Sequence, residues 1–320
     1  MKLFAVLCCA MAAWAQPFKL EKTIPLPGVE GRFDHLAVDV AGKRVFVSAL
    51  GNNTVEVLDA AGGKHLQSLA GMHEPQGVGY SPDAKKLYVA NGKDGKLRIF
   101  DGASLKPAGE IAFGDDADNV RYDAPHKLIW VGYQDGAVAS VDPAKNARAG
   151  EISLDAHPES FQLEKSGPRV FVNVPDAGEI EVLDRTRHVV ASKWAVKAAA
   201  ANFPMALDES THRLFVGCRK PAKVLVYDTE NGHVVTEFPC PGDTDDLYFD
   251  AARKRLYVAG GEGSLEAFQQ KSPDQYVSIG KIVTAAGART ALYVPDWNRL
   301  FLAVPHRGNQ GAEIRIYQVE

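Results

Sequence analysis

The sequence predicts an all-β protein, a seven-bladed β-propeller of four-stranded antiparallel blades, and three observations predict it. An aromatic residue recurs seven times at intervals of 41 to 44 residues. Each one lies in a short strand-like run, and turn residues separate the runs. A period of forty-odd residues made of strands and turns is typical of propellers. The seven aromatic residues, which we expect to be buried between neighbouring blades, are Phe46, Tyr88, Trp130, Phe171, Phe215, Tyr257 and Phe301.

Each repeat is predicted to contain four short strands, as the second repeat illustrates. Its innermost strand is predicted at 77–80, its second at 87–91, its third at 96–101 and its outer strand at 107–113. The third strand of most repeats closes with an Asp. We expect that carboxylate to accept hydrogen bonds from the backbone of the turn it opens.

The seventh repeat has only three predicted strands, at 290–294, 300–304 and 313–319. The segment 19–26 resembles the outer strands of other repeats, so the N-terminal strand is predicted to close the ring and remove its exposed edges. Pro25 is compatible with an edge strand. No helix is expected, even in the alanine-rich segment 195–201, where a loop is due. The blades are predicted at 31–71, 73–114, 115–155, 156–197, 201–241, 242–284, and 287–320 with 18–26, which makes 16–320 a single domain.

Residues 1–15 resemble a signal peptide. Lys2 supplies a positive start, 3–11 is a short apolar stretch, and Ala13-Trp14-Ala15 matches an A-x-A cleavage site. A lipoprotein anchored at Cys8 or Cys9 is disfavoured because the apolar segment before them is too short. No later stretch is long enough for a membrane span. We therefore predict a monomeric protein that is periplasmic or secreted.

The net charge of the chain argues against a nucleic-acid partner, and its cysteine content leaves open whether a disulfide forms. The formal charge of −4 is too mild, and of the wrong sign, for a nucleic-acid surface. Two cysteines follow the predicted cleavage site, Cys218 and Cys240. An exported protein permits a disulfide, but a third strand should separate these two cysteines. Two strand spacings approach ~10 Å, which exceeds the reach of a disulfide unless the loop folds back.

Several segments carry a family resemblance. The runs 88–91, 171–174 and 257–260 resemble degenerate copies of the YVTN signature, and 77–87 resembles the consensus turn of the same repeat. The chain is therefore similar, over 18–320, to the YVTN-repeat (YncE-like) family of exported seven-bladed β-propellers. The resemblance implies the fold. It leaves function open, because the family resembles exported binding or surface proteins, lactonase-like hydrolases, and propeller subunits of quinoprotein amine dehydrogenases and nitrous-oxide reductases.

The strand order places two sets of loops on one face of the ring, which we call the mouth face. They are the loop leading into each innermost strand and the turn between the second and third strands. The opposite face collects turns such as 43–44 and 85–86, which we expect to be solvated. A concave mouth lined by convergent polar groups is the default place for a binding site. The predicted ligand-binding residues are Arg32, Asp34, His35, His73, Glu74, Asp118, Asn119, His157, Glu159, Asp245, Asp246 and Arg289.

Each of these features has a plainer interpretation. Asp34, Asp118, Glu159 and Asp245 share one repeat position, so they could instead accept hydrogen bonds from backbone amides at the strand starts. Three histidines, His35, His73 and His157, are the best candidates for a transition-metal site, although they lie in three blades at different offsets. The segments 116–119 and 243–246 offer oxygen ligands for calcium but lack the spacing and glycine of a calcium loop. No cofactor is strongly implied.

Two classes of function remain. The first is an exported, non-catalytic binding or interaction propeller that takes a small molecule, a cation or a partner protein at the mouth. The alternative is a lactonase-like hydrolase, or a propeller component of a metal- or quinone-dependent oxidoreductase. Hydrolysis would need a base beside a cation, such as His35 with Arg32 or Glu159 with Arg289. The sequence has no G-x-S-x-G, H-E-x-x-H, Walker or C-x-x-C-H motif, which favours binding, and no catalytic residue is assigned.

Overall fold

A computed structural model describes residues 16–320 and shows the predicted ring of seven four-stranded antiparallel sheets. The predicted signal peptide, 1–15, lies outside the described residues. Within them, no helix is long and apolar enough to cross a membrane. Between residues 16 and 320, helical structure is limited to two short 3-10 turns, Leu50–Asn52 and Pro295–Trp297. The alanine-rich segment forms the end of one strand, a loop and the start of the next strand, as expected.

The first four blades follow one another along the chain, each from its innermost to its outermost strand. Blade 1 comprises β2 (Leu36–Asp39), β3 (Arg44–Ala49), β4 (Thr54–Asp59) and β5 (Lys64–Leu69). Blade 2 comprises β6 (Pro75–Ser81), β7 (Lys86–Asn91), β8 (Lys96–Asp101) and β9 (Pro107–Ala112). Blade 3 comprises β10 (Ala117–Asp123), β11 (Leu128–Tyr133), β12 (Ala137–Asp142) and β13 (Ala147–Ser153). Blade 4 comprises β14 (Phe161–Leu163), β15 (Arg169–Val174), β16 (Glu179–Asp184) and β17 (Val189–Ala195).

The last three blades complete the ring, and the seventh borrows its outer strand from the N-terminus. Blade 5 comprises β18 (Ala200–Asp208), β19 (Arg213–Lys220), β20 (Ala222–Asp228) and β21 (Val234–Pro239). Blade 6 comprises β22 (Thr244–Asp250), β23 (Arg255–Gly260), β24 (Ser264–Ser272) and β25 (Gln275–Val283). Blade 7 comprises β26 (Ala291–Val294), β27 (Arg299–Val304), β28 (Glu313–Val319) and β1 (Phe18–Pro25).

The predicted closure of the ring is confirmed. Strand β1 pairs antiparallel with β28, in a register that runs from Phe18 opposite Val319 to Pro25 opposite Glu313. A single bulge interrupts the register between Leu20 and Lys22. Because β1 is the outermost strand of its sheet, Pro25 takes the edge position at which a missing N–H group is tolerated.

The core lies between the blades, and the aromatic series fills it as predicted. All seven aromatic residues of the middle strands are at most 1% exposed. Phe46 of blade 1 stacks on Tyr80 of blade 2 with ring centroids 5.9 Å apart, and Phe215 of blade 5 stacks on Phe249 of blade 6 at 5.1 Å. One large side chain per repeat therefore fixes the packing of each blade on the next.

The Asp that closes the third strand performs its predicted structural role. In blade 1, Asp59 Oδ1 accepts hydrogen bonds from the amides of Ala61 and Gly62 at 2.9 and 2.8 Å. Asp142 and Asp184 make the same contacts in blades 3 and 4. These carboxylates belong to turn formation and are not candidates for chemistry.

The opposite face differs from the expectation of simple solvated turns. Basic residues at the start of the second strand reach across to the outer turn of the following blade. Lys86 Nζ donates to the carbonyl of Pro143 at 2.6 Å, Arg169 Nη1 donates to that of Thr229 at 2.5 Å, and Arg44 donates to that of Gly102. These residues join neighbouring blades, because a long cationic side chain can satisfy carbonyls that the turn leaves unpaired.

Both cysteines of the described chain are free thiols. Cys218 lies in β19 and Cys240 follows β21, so β20 separates them in the sheet, as the strand order predicted. Burial raises the pKa of each thiol to about 12. Neither thiol therefore has the thiolate character that a reactive cysteine needs at neutral pH.

Candidate functional site

The predicted mouth residues lie where the innermost strands begin, and irregular backbone presents them. In β10 the register shifts between Ala117 and Val120, so Asp118 and Asn119 leave the regular ladder. In β22 the register shifts between Thr244 and Asp246, which releases Asp245 in the same way. A bulge re-aims a side chain at the end of a strand. Polar residues at these starts can therefore face the channel instead of the neighbouring blade.

His35 links blade 1 to blade 6 across the mouth. Its Nδ1 lies 3.7 Å from Asp246 Oδ1, and its Nε2 lies 3.7 Å from Asp34 Oδ1. Burial alone would lower the pKa of His35, but the adjacent Asp246 and the charges of Asp34 and Asp118 outweigh it and raise that pKa to about 10. His35 is therefore an imidazolium cation at neutral pH. That charge state suits an ion pair with the adjacent carboxylates.

His157 makes the matching link between blades 4 and 3. Its Nε2 lies 3.8 Å from Asp118 Oδ2, and its Nδ1 lies 3.7 Å from Asp116 Oδ2 and 2.5 Å from the carbonyl oxygen of Gln134. Burial opposes protonation, but Asp118, the Gln134 carbonyl and Asp116 together raise the pKa of His157 to about 9. The second histidine is thus also cationic at neutral pH.

Two arginines hold the acids that blade 6 contributes. Arg219 Nη2 donates to Asp245 Oδ1 at 2.5 Å, and Arg289 Nε lies 2.9 Å from Asp245 Oδ2. Arg289 Nη1 also donates to Asp243 Oδ1 at 3.1 Å. The Arg219 guanidinium stacks 3.9 Å from the ring centroid of Phe203, which fixes its orientation. Arg219 was not among the predicted residues. Its position in the mouth-face turn of blade 5 was the signal that could have identified it.

The pKa values of the remaining mouth acids are shifted in opposite directions. Burial, followed by the charges of Asp118 and Asp245, raises the pKa of Glu159 to about 8. Burial also raises the pKa of Asp34 to about 7, against the influence of His35. The pKa of Asp118 is lowered, because His157 and His35 outweigh the effect of its burial. Near neutral pH the mouth therefore combines an ionised Asp118 with carboxyl groups that retain protons.

A fully buried carboxylate oxygen of the mouth, that of Asp118, has no hydrogen-bond partner in the described chain. Asp118 is 4% exposed, and its Oδ1 is buried and unpaired within residues 16–320, as is Oδ1 of the adjacent Asn119. Asp118 Oδ2, by contrast, accepts a hydrogen bond from Asn119 Nδ2 at 3.4 Å. A buried oxygen without a partner carries a free-energy cost.

The plainer interpretation of the acids, hydrogen bonding to backbone amides, fits one residue of the mouth. Asp246 Oδ2 accepts the amide N–H of Ala291 in blade 7 at 2.9 Å. The hydrogen bonds that Asp118 and Asp245 make come from side chains instead. Asp246 therefore also has a structural role in joining blades 6 and 7.

Two other predicted residues lie apart from this network, and a third, Arg32, lies at its exposed edge. His73 is 53% exposed in its side chain and pairs with Asp94 at 3.1 Å, and Glu74 lies at the rim 3.8 Å from Lys93. Arg32 is half-exposed, 3.6 Å from Asp34. The proposed metal set of His35, His73 and His157 is thus not assembled, because each ring pairs with different carboxylates.

The acids that lie close enough together to share one metal ion form a different cluster from either predicted set. In the part of the chain that the structure describes, three groups with ligand atoms within 4.8 Å of one another occur only at Asp155, Glu179 and Glu181. The two predicted calcium segments do not form such a set. Lys193 already lies among the three carboxylates, 3.7 Å from Glu179 and 3.8 Å from Glu181. That cluster therefore has its own counter-ion.

Two spaces adjoin the mouth. A cavity of about 240 Å³ follows the channel between the innermost strands, where its lining includes Arg121, Ser160 and Tyr248. A larger cleft of about 860 Å³ lies between blades 2 and 3 on the mouth face. Its lining comprises Glu74, Gly92, Lys93, Asp115, Asp116, Gln134, Asp135 and Gly136. Asp116 belongs both to this cleft and to the His157 network.

The raised pKa of Glu159 gives a pH-dependent stability. The folded chain keeps the proton up to about pH 8, whereas an unfolded glutamate loses it near 4.5, so a cost to folding grows from about pH 4.5 to pH 8. Glu159→Gln removes this cost. We expect the variant to melt several degrees above the parent at pH 8.5 and at the same temperature at pH 4, measured by calorimetry. The exposed change Asp296→Asn serves as the control, and an equal gain at both pH values would contradict this account.

Comparisons with known proteins support the fold. No family model matches the chain. It is 24% identical over 200 residues to the YncE protein of Salmonella typhimurium strain LT2, a match that covers 60% of this chain and 56% of that protein. The YncE protein of Salmonella typhi matches equally well. Thus the match spans only somewhat more than half the length of these relatives.

Two further matches are parts of named complexes. THO complex subunit 3 of Arabidopsis thaliana is 20% identical over 250 residues, covering 75% of this chain and 76% of that protein. A chain in the crystal structure of the mitotic checkpoint complex superposes with a TM-score of 0.79 and 16% identity, over 100% of this chain and 97% of that one. Together these matches support the seven-bladed β-propeller fold. In sequence the chain is similar to the YncE proteins.

Proposed function

We propose that this protein is an exported, non-catalytic binding propeller that holds a ligand at the mouth of its central channel. One observation carries the proposal: loops of blades 1, 3, 4 and 6 bring charged residues into one buried network, in which Asp118 Oδ1 has no partner. Burying ions costs free energy that well-packed apolar residues would not. A scaffold alone does not need such a network, whereas a site for a polar ligand does.

The isosteric double variant Asp118→Asn, Glu159→Gln tests the site. The parent protein is screened by thermal shift against metals, amines, amino acids, sugars and lactones, and each hit is measured by calorimetry. We expect a hit whose affinity is lost in the double variant and kept in the opposite-face variant Asp296→Asn. If no compound binds, or if the double variant binds every hit as tightly as the parent, the mouth is not the binding site.

Export rests on the pattern of residues 1–15, whose positive start, apolar stretch and small-residue cleavage site are typical of a signal peptide. Expression of the full chain in a Gram-negative host, followed by fractionation and mass spectrometry, tests this part. We expect a periplasmic or secreted product that begins at Gln16. A cytoplasmic product that retains Met1 would overturn it.

A lactonase-like hydrolase is the second candidate, and the division of proton affinities at the mouth favours it over the redox alternatives. An ionised Asp118 beside a protonated Glu159 is the pairing that a general base and a general acid require. Hydrolysis of a lactone panel by the parent, abolished in the same double variant, would replace the binding proposal with this one. Binding without turnover would exclude it for the compounds tested.

A further inference from the structure

The innermost strands place one residue of each blade at the same level of the central channel. In every blade this residue stands directly opposite the repeated aromatic residue of the second strand. The residues at this level are Ala37, Gly79, Arg121, Gln162, Ala206, Tyr248 and Leu292. All of them except Ala206 line the channel cavity of about 240 Å³. The polar groups at this level therefore come from blades 3, 4 and 6.

Two of the three polar side chains are already engaged by the protein. Gln162 Nε2 donates to the carbonyl of Met205 at 2.8 Å. The hydroxyl of Tyr248 donates to the carbonyl of Ala291 at 2.9 Å. These hydrogen bonds fix both side chains against the backbone of a neighbouring blade.

Arg121 differs from them because most of its N–H donors have no protein acceptor. Its Nη1 donates to the carbonyl of Val120 at 3.0 Å, and its Nη2 makes a long contact of 3.4 Å with Ser160 Oγ. Within residues 16–320, no carboxylate oxygen lies within 4.0 Å of the Arg121 guanidinium. The mouth arginines Arg219 and Arg289, by contrast, both pair with an acid of blade 6. Arg121 is therefore a cation that lines the channel without an anionic partner in the described chain.

The surroundings of Arg121 match the shape of a carboxylate. Ser160 is buried and accepts from Arg121 Nη2, and its own O–H has no acceptor in residues 16–320. The guanidinium carbon lies 5.7 Å from the ring centroid of Phe161, a contact that restricts its orientation. A planar guanidinium fork beside a hydroxyl donor can bind both oxygens of a carboxylate.

The charge balance of the cavity suits a single negative charge. Its lining includes one carboxylate, Asp246, whose Oδ2 accepts the amide of Ala291 and whose Oδ1 lies 3.7 Å from the cationic His35. The charge of Asp246 is thus compensated by groups that do not line the cavity. Arg121 is the one basic residue among the described residues of the lining, so a doubly charged phosphate would lack a second cation.

Arg121 can be reached from the face that does not carry the mouth acids. Arg121, Tyr122 and Gln162 line the channel cavity and also a second space of about 520 Å³. The lining of that second space includes the turn 123–125 of the opposite face. An anion can therefore approach the guanidinium without passing the carboxylates of the mouth.

The walls and the size of the cavity favour a ligand with an apolar part. Aliphatic side chains dominate the rest of the lining, and they include Val38, Val78, Met205, Leu247 and Leu292. An apolar cavity of about 150 Å³ can hold one benzene molecule. A cavity of about 240 Å³ therefore has room for a group of that size together with a carboxylate.

From this geometry we propose that the channel cavity binds a small organic monocarboxylate. Its carboxylate pairs with Arg121 and Ser160, and its apolar part lies against the aliphatic walls. The inference goes beyond the proposed function, because this site lies deeper in the channel than the mouth network and requires neither Asp118 nor Glu159.

Calorimetry on the chain that starts at Gln16 tests the inference, with phenylacetate as the probe. Its neutral isostere phenylacetamide and inorganic phosphate are titrated in parallel. We expect phenylacetate to bind about tenfold more tightly than the amide or better, a difference of about 1.4 kcal/mol, because only the carboxylate forms an ion pair with Arg121.

Three results would overturn the inference. Equal binding of the amide would show an apolar cavity without an anion site. Tighter binding of inorganic phosphate would show that the ligand class is wrong. If phenylacetate does not bind, and benzoate and hexanoate titrated in the same way do not bind either, the cavity is not a monocarboxylate site.

Matched variants locate the binding. Arg121→Met removes the charge and should weaken phenylacetate binding about tenfold or more. Arg121→Lys keeps the charge but lacks the planar fork, so it should lose part of that affinity and also serves if the methionine variant does not fold. Arg187→Met removes a charge from an exposed residue and should bind phenylacetate as the parent does.

Unchanged affinity in both Arg121 variants would show that the carboxylate does not pair with Arg121. Binding that is lost in the mouth variant Asp118→Asn, Glu159→Gln but kept in Arg121→Met would assign the ligand to the mouth, and the inference would fail while the proposed function stands. Binding that requires Arg121 supports the inference even if no compound binds at the mouth, so the two proposals fail separately.

Discussion

Removal of the N-terminal strand should unfold the ring or lower its melting temperature strongly. Without residues 16–26, blade 7 loses its pairing with β28 and the buried side chains of Phe18, Ile24 and Leu26. Burial of such side chains contributes ~1.5–3 kcal/mol each, so about 5–9 kcal/mol is lost. That loss is comparable to the whole stability of a typical domain, about 5–15 kcal/mol. Thermal melting and light scattering of a chain that starts at Pro27, compared with one that starts at Gln16, measure the effect.

Point variants of β1 distinguish the loss of its buried side chains from the loss of the whole strand. Phe18→Ala with Ile24→Ala should reproduce most of the loss, because both side chains are packed against blade 7. Lys19→Ala with Leu20→Ala alters the exposed face of the same strand, where Leu20 is 52% exposed, and should change stability little. A chain starting at Pro27 that melts at the parent temperature would show that β1 does not contribute to closure.

The fold could be predicted from the sequence because each repeat encodes it locally. A strand pattern bounded by turns is repeated seven times, and each copy needs only its neighbours to bury its aromatic residue. Closure was predictable for the same reason: blade 7 lacked a strand, and a segment of matching pattern occurred at 19–26. Exact bounds were less predictable. β22 begins at Thr244 and β10 at Ala117, because bulges extend these strands toward the mouth beyond their regular ladders.

The site was predictable in position but less so in chemistry. Strand order identified the lead-in loops, and these bring Asp34, His35, Asp118 and Glu159 together. It did not show that both mouth histidines are held as cations, or that Arg219 reaches the same acids. Nor did it show that the mouth acids lie beside two histidines and Arg219 as well as Arg289.

A second large effect is expected on the opposite face, where blade 3 depends on blade 4 for a charge. In blades 1 and 4 the acid that closes the innermost strand pairs with the basic residue opposite it: Asp39 with Arg44 and Glu164 with Arg169, each at 2.6 Å. In blade 3 the residue opposite Asp123 is Leu128. The buried cation beside Asp123 comes from blade 4: Arg185 Nη1 lies 3.0 Å from Asp123 Oδ2, whereas the half-exposed His126 lies 3.1 Å from Asp123 Oδ1.

Arg185→Met should therefore be strongly destabilising. Asp123 and Arg185 are both buried, and Arg185 also donates to the carbonyls of Glu164 and Gly167 at 2.7 and 2.8 Å. The variant leaves Asp123 without its buried cation, and loss of one partner from a buried ion pair costs about 3–5 kcal/mol. Urea unfolding of the variant measures the loss. Arg187→Met, an exposed change in the same turn, should stay within about 0.5 kcal/mol of the parent.

Moving the cation back into blade 3 tests whether charge is the cause. In Leu128→Arg with Arg185→Met, the new arginine stands opposite Asp123, in the arrangement that blades 1 and 4 use. If the lost stability comes from the unpaired carboxylate, the double variant should regain a substantial part of it in the same urea experiment. If it is as unstable as Arg185→Met alone, the contribution of Arg185 lies in its hydrogen bonds to the two blade 4 carbonyls. An arginine at position 128 cannot replace those bonds, because it approaches Asp123 from blade 3 and not from blade 4.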